Sequence, residues 1–335
     1  MIGVGIIGTG RMGNAHAGNL SKHPRARLVT AYDVNPAQMD AFVKKFPEVK
    51  PAATVEEVVN NPEVGFIVIT SPTYCHAEGL RAAMATGKPI FCEKPLCRTA
   101  EELKELAPLI SSYSNLFAVG FVRRYSAGGI KLLELVKAGE IGKPICCSIE
   151  CLVGGWKREW GDWFADYAKS GGCTLDMLAH HIDLANGLFG VPASVYARAI
   201  MMPEGPEKPY DYISATTTSK DGVICNMECS WLRSGPSDNY MVVYGEKGTL
   251  KKSDAHGLQF FAPGQPVESI PLDDVPVGEL QEKVEGDMYV REMAAIIDGI
   301  ENGHAPLAGA KQAIEAMEVA LGMLESAEKG KVVLL

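Results

Sequence analysis

At 335 residues, with 47% hydrophobic, 22% charged and 7% aromatic content, the chain has the make-up of an ordinary globular protein, which excludes collagen-like, low-complexity and coiled-coil architectures. Its length suggests two domains. The sum of 32 basic and 41 acidic residues is −9, a charge that repels a polyphosphate backbone, so no nucleic-acid partner is expected. Nine cysteines, odd in number and not arranged in paired clusters, predict reduced thiols and a cytoplasmic protein.

Ile2 to Ile7 is apolar but lacks a basic leader and runs into a glycine turn, so it reads as a strand and not as a signal peptide. Further strands are predicted at Leu28 to Tyr32, Gly65 to Thr70, Pro89 to Cys92 and Leu116 to Val119; several are apolar throughout, as strands buried on both faces must be. Between them lie helix patterns such as Met39, Phe42, Val43 and Phe46, and two capping boxes, Thr54 with Glu57 and Thr99 with Glu102. This alternation predicts a doubly wound α/β domain. Beyond Tyr125 the texture changes: a helix at Ile130 to Lys137, a strand at Ile145 to Cys151, and an amphipathic helix over Thr174 to Phe189. Closely spaced strands with turn signals follow from Ala193 to Ile270, and helices at Met288 to Ile300 and Ala310 to Ala327. The second half is therefore α+β. Charges interrupt every candidate membrane span, so no membrane partner is expected.

Gly8-Thr9-Gly10-Arg11-Met12-Gly13 matches G-x-G-x-x-G between a predicted strand and a predicted helix, and Asp33 closes the next strand. Gly8 permits the tight turn, Gly10 lets backbone approach a pyrophosphate, and Gly13 lets helix and strand pack closely. Phosphates then meet the free N–H groups at the helix start, those of Arg11 and Met12 included. Asp33 suits the ribose hydroxyls and repels a 2′-phosphate, with no Arg or Lys in Val34-Asn35-Pro36 to neutralise one, so NAD is favoured over NADP. Asp33 is equally placed to cap the helix that starts near Pro36.

Ligands of open α/β sheets bind beyond the carboxyl ends of the strands. Ser71, Pro72 and His76 after the third long strand, and Glu93 and Lys94 after the fourth, are thus candidates to line a cofactor site. In the helix from Thr174, a period of 3.6 puts Asp176, His180 and Asp183 on one face, opposite Leu178, Ile182, Ala185 and Phe189. A carboxylate beside an imidazole suits a general base for an alcohol proton, although a solvated helix face has the same pattern. His181, near the apolar stripe, reads as packed. Trp156, Trp160 and Trp163, interleaved with charges, form a candidate sugar platform or an aromatic-packed loop, and Arg124 either binds substrate or braces the domain junction. Tyr289 reads as core packing. Neither Cys92 with Cys97 nor Cys225 with Cys229 has a partner pair, so no metal site is expected.

Together, the glycine loop, Glu93-Lys94-Pro95, Gly120-Phe121-Val122-Arg123-Arg124-Tyr125, the segment Gly139 to Pro144, and Gly171-Gly172 ahead of Asp176-x-x-x-His180-x-x-Asp183 resemble the glucose-fructose oxidoreductase, inositol dehydrogenase and rhizopine-catabolism (Gfo/Idh/MocA) family nearly end to end. The resemblance implies a Rossmann NAD-binding domain, residues 1–122, and an α+β domain, residues 123–335, that binds substrate and whose large, mostly antiparallel open sheet mediates oligomerisation. It also implies catalytic roles for Lys94, Asp176 and His180, with His180 as proton acceptor and Lys94 on the reacting hydroxyl. His181 departs from the acidic residue that inositol dehydrogenases often carry there, which leaves the substrate open. The expectation is an NAD-dependent oxidoreductase acting on a secondary hydroxyl of a sugar, cyclitol or glycoside, as a homodimer or homotetramer. Rival readings on this fold are an NAD-dependent glycosidase working by transient oxidation and a non-catalytic dinucleotide-sensing regulator.

Overall fold

Short apolar runs separated by capped helices form the first third of the protein: β1 (Ile2–Ile7), α1 (Arg11–Leu20), β2 (Ala26–Tyr32), α2 (Pro36–Lys45), β3 (Lys50–Pro51), α3 (Val55–Val59), β4 (Phe66–Ile69), α4 (His76–Met84), β5 (Ile90–Cys92), α5 (Ala100–Ser111) and β6 (Phe117–Val119). The computed structural model describes residues 1–154, 163–201, 211–233, 235, 239–280 and 283–335. Each strand pairs in parallel with its neighbours in the order β3-β2-β1-β4-β5-β6. That is the dinucleotide-binding order, which reverses between β1 and β4 and leaves a crevice beyond the strand ends there. β4 and β5 are buried at every residue, as a sheet covered on both faces requires. The edge strand β3 escaped prediction because both its residues are exposed and offer no apolar pattern.

Local chemistry sets the helix starts. Asn35 Oδ1 accepts from the Ala37 N–H with Pro36 in the first helical position of α2. Thr54 Oγ1 accepts from the Glu57 N–H at 3.2 Å, while the Glu57 carboxylate reaches back to the Ala53 N–H at 2.7 Å, closing the predicted box one residue upstream.

The rest of the chain forms α6 (Ala127–Lys137), β7 (Pro144–Gly154), α7 (Tyr167–Ser170), α8 (Ala179–Phe189), β8 (Pro192–Ile200), β9 (Tyr212–Ser219), β10 (Ile224–Arg233), β11 (Tyr240–Gly245), β12 (Thr249–Ser253), β13 (Gly257–Phe261), β14 (Glu268–Ile270), α9 (Met288–Asn302), α10 (Ala310–Lys329) and β15 (Val333–Leu334). The strands form one open sheet in the order β14-β13-β12-β11-β7-β10-β9-β8-β15, antiparallel except for the parallel pair β7 and β10. Alternation along β10 buries Cys225, Met227 and Cys229. On that inner face Ala185, Asn186 and Phe189 of α8 line a small pocket together with Thr217, Cys225 and Met227. Tyr196, Ile200, Ile224 and Tyr244 share the opposite face and are exposed. All nine cysteines are free thiols.

The chain divides into two compact units, residues 1–97, 101–125 and 276–313 in one and 98–100, 126–275 and 314–335 in the other. The single cut expected after residue 122 therefore differs from the observed division: the chain returns to the parallel sheet late in its course. The reason is the apolar face of α9, which packs on α1 and buries Met293, Ile296 and Ile297 in the core that holds Val4, Ile6, Leu28 and Phe42.

Candidate active site

In the first unit the glycine motif is the turn between β1 and α1. Gly8 has φ +95°, and a Cβ on it would lie 2.4 Å from the Ser71 nitrogen. A Cβ on Gly13 would lie 2.1 Å from the Gly8 carbonyl oxygen, so only glycine lets the helix approach its own entry loop. Gly10 is different: its Cβ would meet only Gln38 Oε1, at 3.5 Å. The Asn14 side chain holds the turn by donating to the carbonyls of Thr9 at 2.7 Å and Gly10 at 3.1 Å. No side chain caps α1. The N–H groups of exposed Arg11, half-buried Met12 and buried Gly13 have no acceptor within the helix. This open cradle with an uncapped helix start fits a pyrophosphate.

Asp33 closes β2 as predicted and is oriented by three donors: its Oδ2 accepts from the Thr9 N–H at 2.7 Å and Thr9 Oγ1 at 3.0 Å, and its Oδ1 from the Asn35 N–H at 2.8 Å. It does not cap α2; Asn35 has that role. The half-buried Ser71, beside Pro72, abuts Gly8, and its Oγ is buried and makes no hydrogen bond among the described residues.

His76 and Glu93 occupy different surroundings from those expected of cofactor ligands. The His76 ring is buried and spans two loops, Nδ1 to the Pro95 carbonyl at 2.8 Å and Nε2 to the Ser71 carbonyl at 2.9 Å. Burial pushes it below the ordinary imidazole range against the opposing pull of those carbonyls and of Glu93. Glu93 is also buried, its Oε1 paired with His16 Nε2 at 2.6 Å and its Oε2 accepting from the Lys94 N–H at 3.1 Å. Burial alone raises a carboxyl, but the His16 bond and charge, with that of Lys94, outweigh it and hold Glu93 below the usual range. Lys94 itself is half-buried and precedes a cis proline, Pro95.

Sequence reasoning missed His16, and it named Gly120 only as the start of a motif, without its role beside Glu93. His16 belongs to the buried stripe Gly13, His16, Ala17 and Leu20 of α1, and a polar ring in an apolar stripe is the signal that was there to read. A Cβ on Gly120 would lie 2.8 Å from Glu93 Oε2, so this glycine makes room for the carboxylate.

In the second unit, Gly171 and Gly172 take positive φ of 73° and 70° and lead into a single π-helical turn, Thr174–Leu178, which runs into α8. The continuous α-helix expected from Thr174 is thus corrected: the wider π turn carries Asp176, and α8 carries His180 and Asp183. Such turns are frequent at functional sites. The polar residues are not on a solvated face either. Asp176 is 7% and Asp183 1% exposed, while His180 is half-buried and His181 is packed at 3%. Arg124 lies half-buried on a 3₁₀ turn, Val122–Tyr125. Trp163 begins another, with its ring stacked on Phe164 at 3.9 Å. Trp156 and Trp160 fall outside the described residues.

Among the described residues no group of three metal-ligating side chains is close enough to hold an ion, and no helix is long and apolar enough to cross a membrane. A glycine cradle on the first βα turn, an oriented carboxylate at the end of β2 and a Lys94 loop beyond β5 define a dinucleotide-binding oxidoreductase unit. The family model described as "Oxidoreductase family, NAD-binding Rossmann fold" matches residues 2–121, and the "GFO/IDH/MocA C-terminal domain" matches residues 130–251. The chain belongs to the Gfo/Idh/MocA family. It is 28% identical over 339 residues to inositol 2-dehydrogenase of Rhizobium meliloti (strain 1021), covering 98% of each chain. It is 38% identical over 145 residues to the enzyme of that name from Agrobacterium fabrum (strain C58 / ATCC 33970), covering 42% of this chain and 43% of the other. Levoglucosan dehydrogenase in complex with NADH shares the fold, with a TM-score of 0.87, 22% identity, and 99% of this chain and 98% of that one covered.

Proposed function

We propose that this protein is an NAD-dependent dehydrogenase that oxidises a secondary hydroxyl of a sugar, cyclitol or glycoside. The observation that carries the reading is similarity along 98% of both chains to an inositol 2-dehydrogenase, in a sequence that has Lys94, Asp176 and His180. The oriented Asp33 carboxylate favours NAD over NADP.

NAD supplies the hydride acceptor when bound. The N–H groups of Arg11, Met12 and Gly13 hold its pyrophosphate, with Gly8 and Gly10 keeping the approach clear. Asp33 receives the ribose hydroxyls, and Ser71 and Pro72 line the nicotinamide half. Lys94 donates to the reacting oxygen, and its charge favours the alkoxide-like transition state. His180 accepts the hydroxyl proton on a ring nitrogen, and Asp176 orients that ring and stabilises its charged form. Arg124, Trp160 and Trp163 contact the polyol. His76 and Glu93 act through the loops they hold and not as direct cofactor ligands. The second unit binds substrate, and the exposed apolar residues of its sheet support a homodimer or homotetramer with closed symmetry, in the cytoplasm.

The test is a panel of inositols, hexoses, sugar acids and glycosides, each with NAD and with NADP, read at the reduced-nicotinamide absorbance. Reduction of NAD by a polyol supports the reading. Release of aglycone without net NADH identifies the glycosidase reading instead, and binding of NADH with no turnover on any member identifies a sensor.

A further inference from the structure

Beneath the Lys94 loop lies a cluster of titratable groups that the proposed chemistry does not use, all within the first unit. Glu93 is its hub. One oxygen receives the His16 ring and the other the backbone N–H of Lys94. The His16 ring in turn stands edge-on to Phe91 at 4.9 Å between centroids and to Tyr289 at 6.0 Å. Three residues along α9 from Tyr289 comes Glu292, 0% exposed, with neither oxygen hydrogen-bonded among the described residues.

These two carboxyls differ in what surrounds them. Two buried carboxyls within electrostatic reach do not both ionise, and the proton stays on the one with fewer donors. Glu93 has an imidazole, an N–H and the neighbouring Lys94 charge. Glu292 has none of these; burial first, and then the Glu93 charge, push its carboxyl well above the ordinary range. The donors of the cluster therefore converge on Glu93, at the root of the lysine, and none of them reaches Glu292 among the described residues. The missing side chain at Gly120 leaves the space that the Glu93 carboxylate occupies.

We propose that the His16–Glu93 pair sets the position of the Lys94 ammonium: Glu93, a positioning residue, clamps the Lys94 backbone and draws its charge, and His16 ties Glu93 to the helix that carries the glycine loop. A charge-assisted bond of this kind is short and directional, so it fixes geometry as well as energy. It also joins the pyrophosphate cradle mechanically to the lysine loop, since His16 lies within α1 itself. This inference rests on the proposed role of Lys94, and its test keeps the two separable.

Lysines are reductively methylated with ¹³C-formaldehyde, and the dimethyl-Lys94 resonance is assigned by its absence in Lys94→Arg. The expected result is that Glu93→Gln moves this resonance to the position of a solvated lysine, whereas Glu292→Gln, which replaces a carboxyl that makes no hydrogen bond to Glu93 or Lys94, leaves it in place. With NAD and the panel substrate that gives the highest wild-type rate, kcat should fall at least about tenfold in Glu93→Gln, with NADH affinity within about threefold of wild type. Should Glu93→Gln fail to fold, His16→Gln is read in the same way. An unmoved Lys94 resonance in these variants, or equal movement in Glu292→Gln, overturns the proposal. A wild-type protein that turns over no panel member instead overturns the dehydrogenase reading, and the resonance then decides the positioning role alone.

Discussion

Alanine at Gly10 and alanine at Gly13 should separate ligand approach from folding, because the two glycines are open to different neighbours. At Gly13 the added carbon would lie 2.1 Å from the Gly8 carbonyl oxygen, a backbone atom that cannot swing aside. Overpacking of this kind costs ~1–3 kcal/mol or more, and each kcal/mol lowers the melting temperature of a unit this size by about 2–4 °C. At Gly10, with φ −66° and a nearest contact at 3.5 Å, alanine fits the free protein. Its poorer capping of α1 costs up to ~1 kcal/mol, offset by the ~0.4–1 kcal/mol gained from a less flexible unfolded chain. Gly10→Ala should thus melt within about 3 °C of wild type. Its methyl occupies the space a pyrophosphate needs, and a displacement that costs ~1.4 kcal/mol weakens NADH about tenfold. Differential scanning fluorimetry gives the first number and a NADH fluorescence titration the second. Equal melting losses in the two variants, or wild-type NADH affinity in Gly10→Ala, would show that the cradle does not receive the cofactor at Gly10.

Lys94→Met removes the donor to the reacting oxygen; kcat should fall about 10²–10³-fold while the NADH dissociation constant stays within a few fold, and comparable turnover refutes the role. Asp33→Ser removes the carboxylate that repels a 2′-phosphate, so the ratio of kcat/KM for NADP to that for NAD should rise, and an unchanged ratio refutes the selectivity argument. Glu292 carries a pH signature. Its folded carboxyl titrates well above the unfolded one, so the folded state holds the extra proton and stability falls as pH rises from the unfolded value toward the folded one. Glu292→Gln should therefore melt higher than wild type at pH 7 and lose that advantage near pH 4, as read by calorimetry at both values; a pH-independent difference refutes the raised titration of Glu292 in the folded state.

The residues that chain-order reasoning located best are those whose signal is local. The glycine turn is legible because the steric demands at Gly8 and Gly13 arise from a strand and helix adjacent in sequence. Asp33 is legible because it closes the very next strand. The capping at Thr54 and the buried runs of β4 and β5 are local in the same sense. The π turn at Asp176 was not legible, since 3.6-residue periodicity assumes an uninterrupted α-helix and cannot register one wider turn.

The positions of the main strands and of the glycine turn thus follow from the sequence by itself, because apolar period, glycine and capping residues act over a few positions, whereas the order of the strands in each sheet was settled only by the fold. The tertiary structure alone decided that His16 meets Glu93 across 77 positions, that Glu292 sits dry on a helix arriving from the far end of the chain, and that His76 is clasped by two loops. A polar side chain's role depends on what desolvates it and which donors reach it, and those partners are supplied by distant segments once the core has closed.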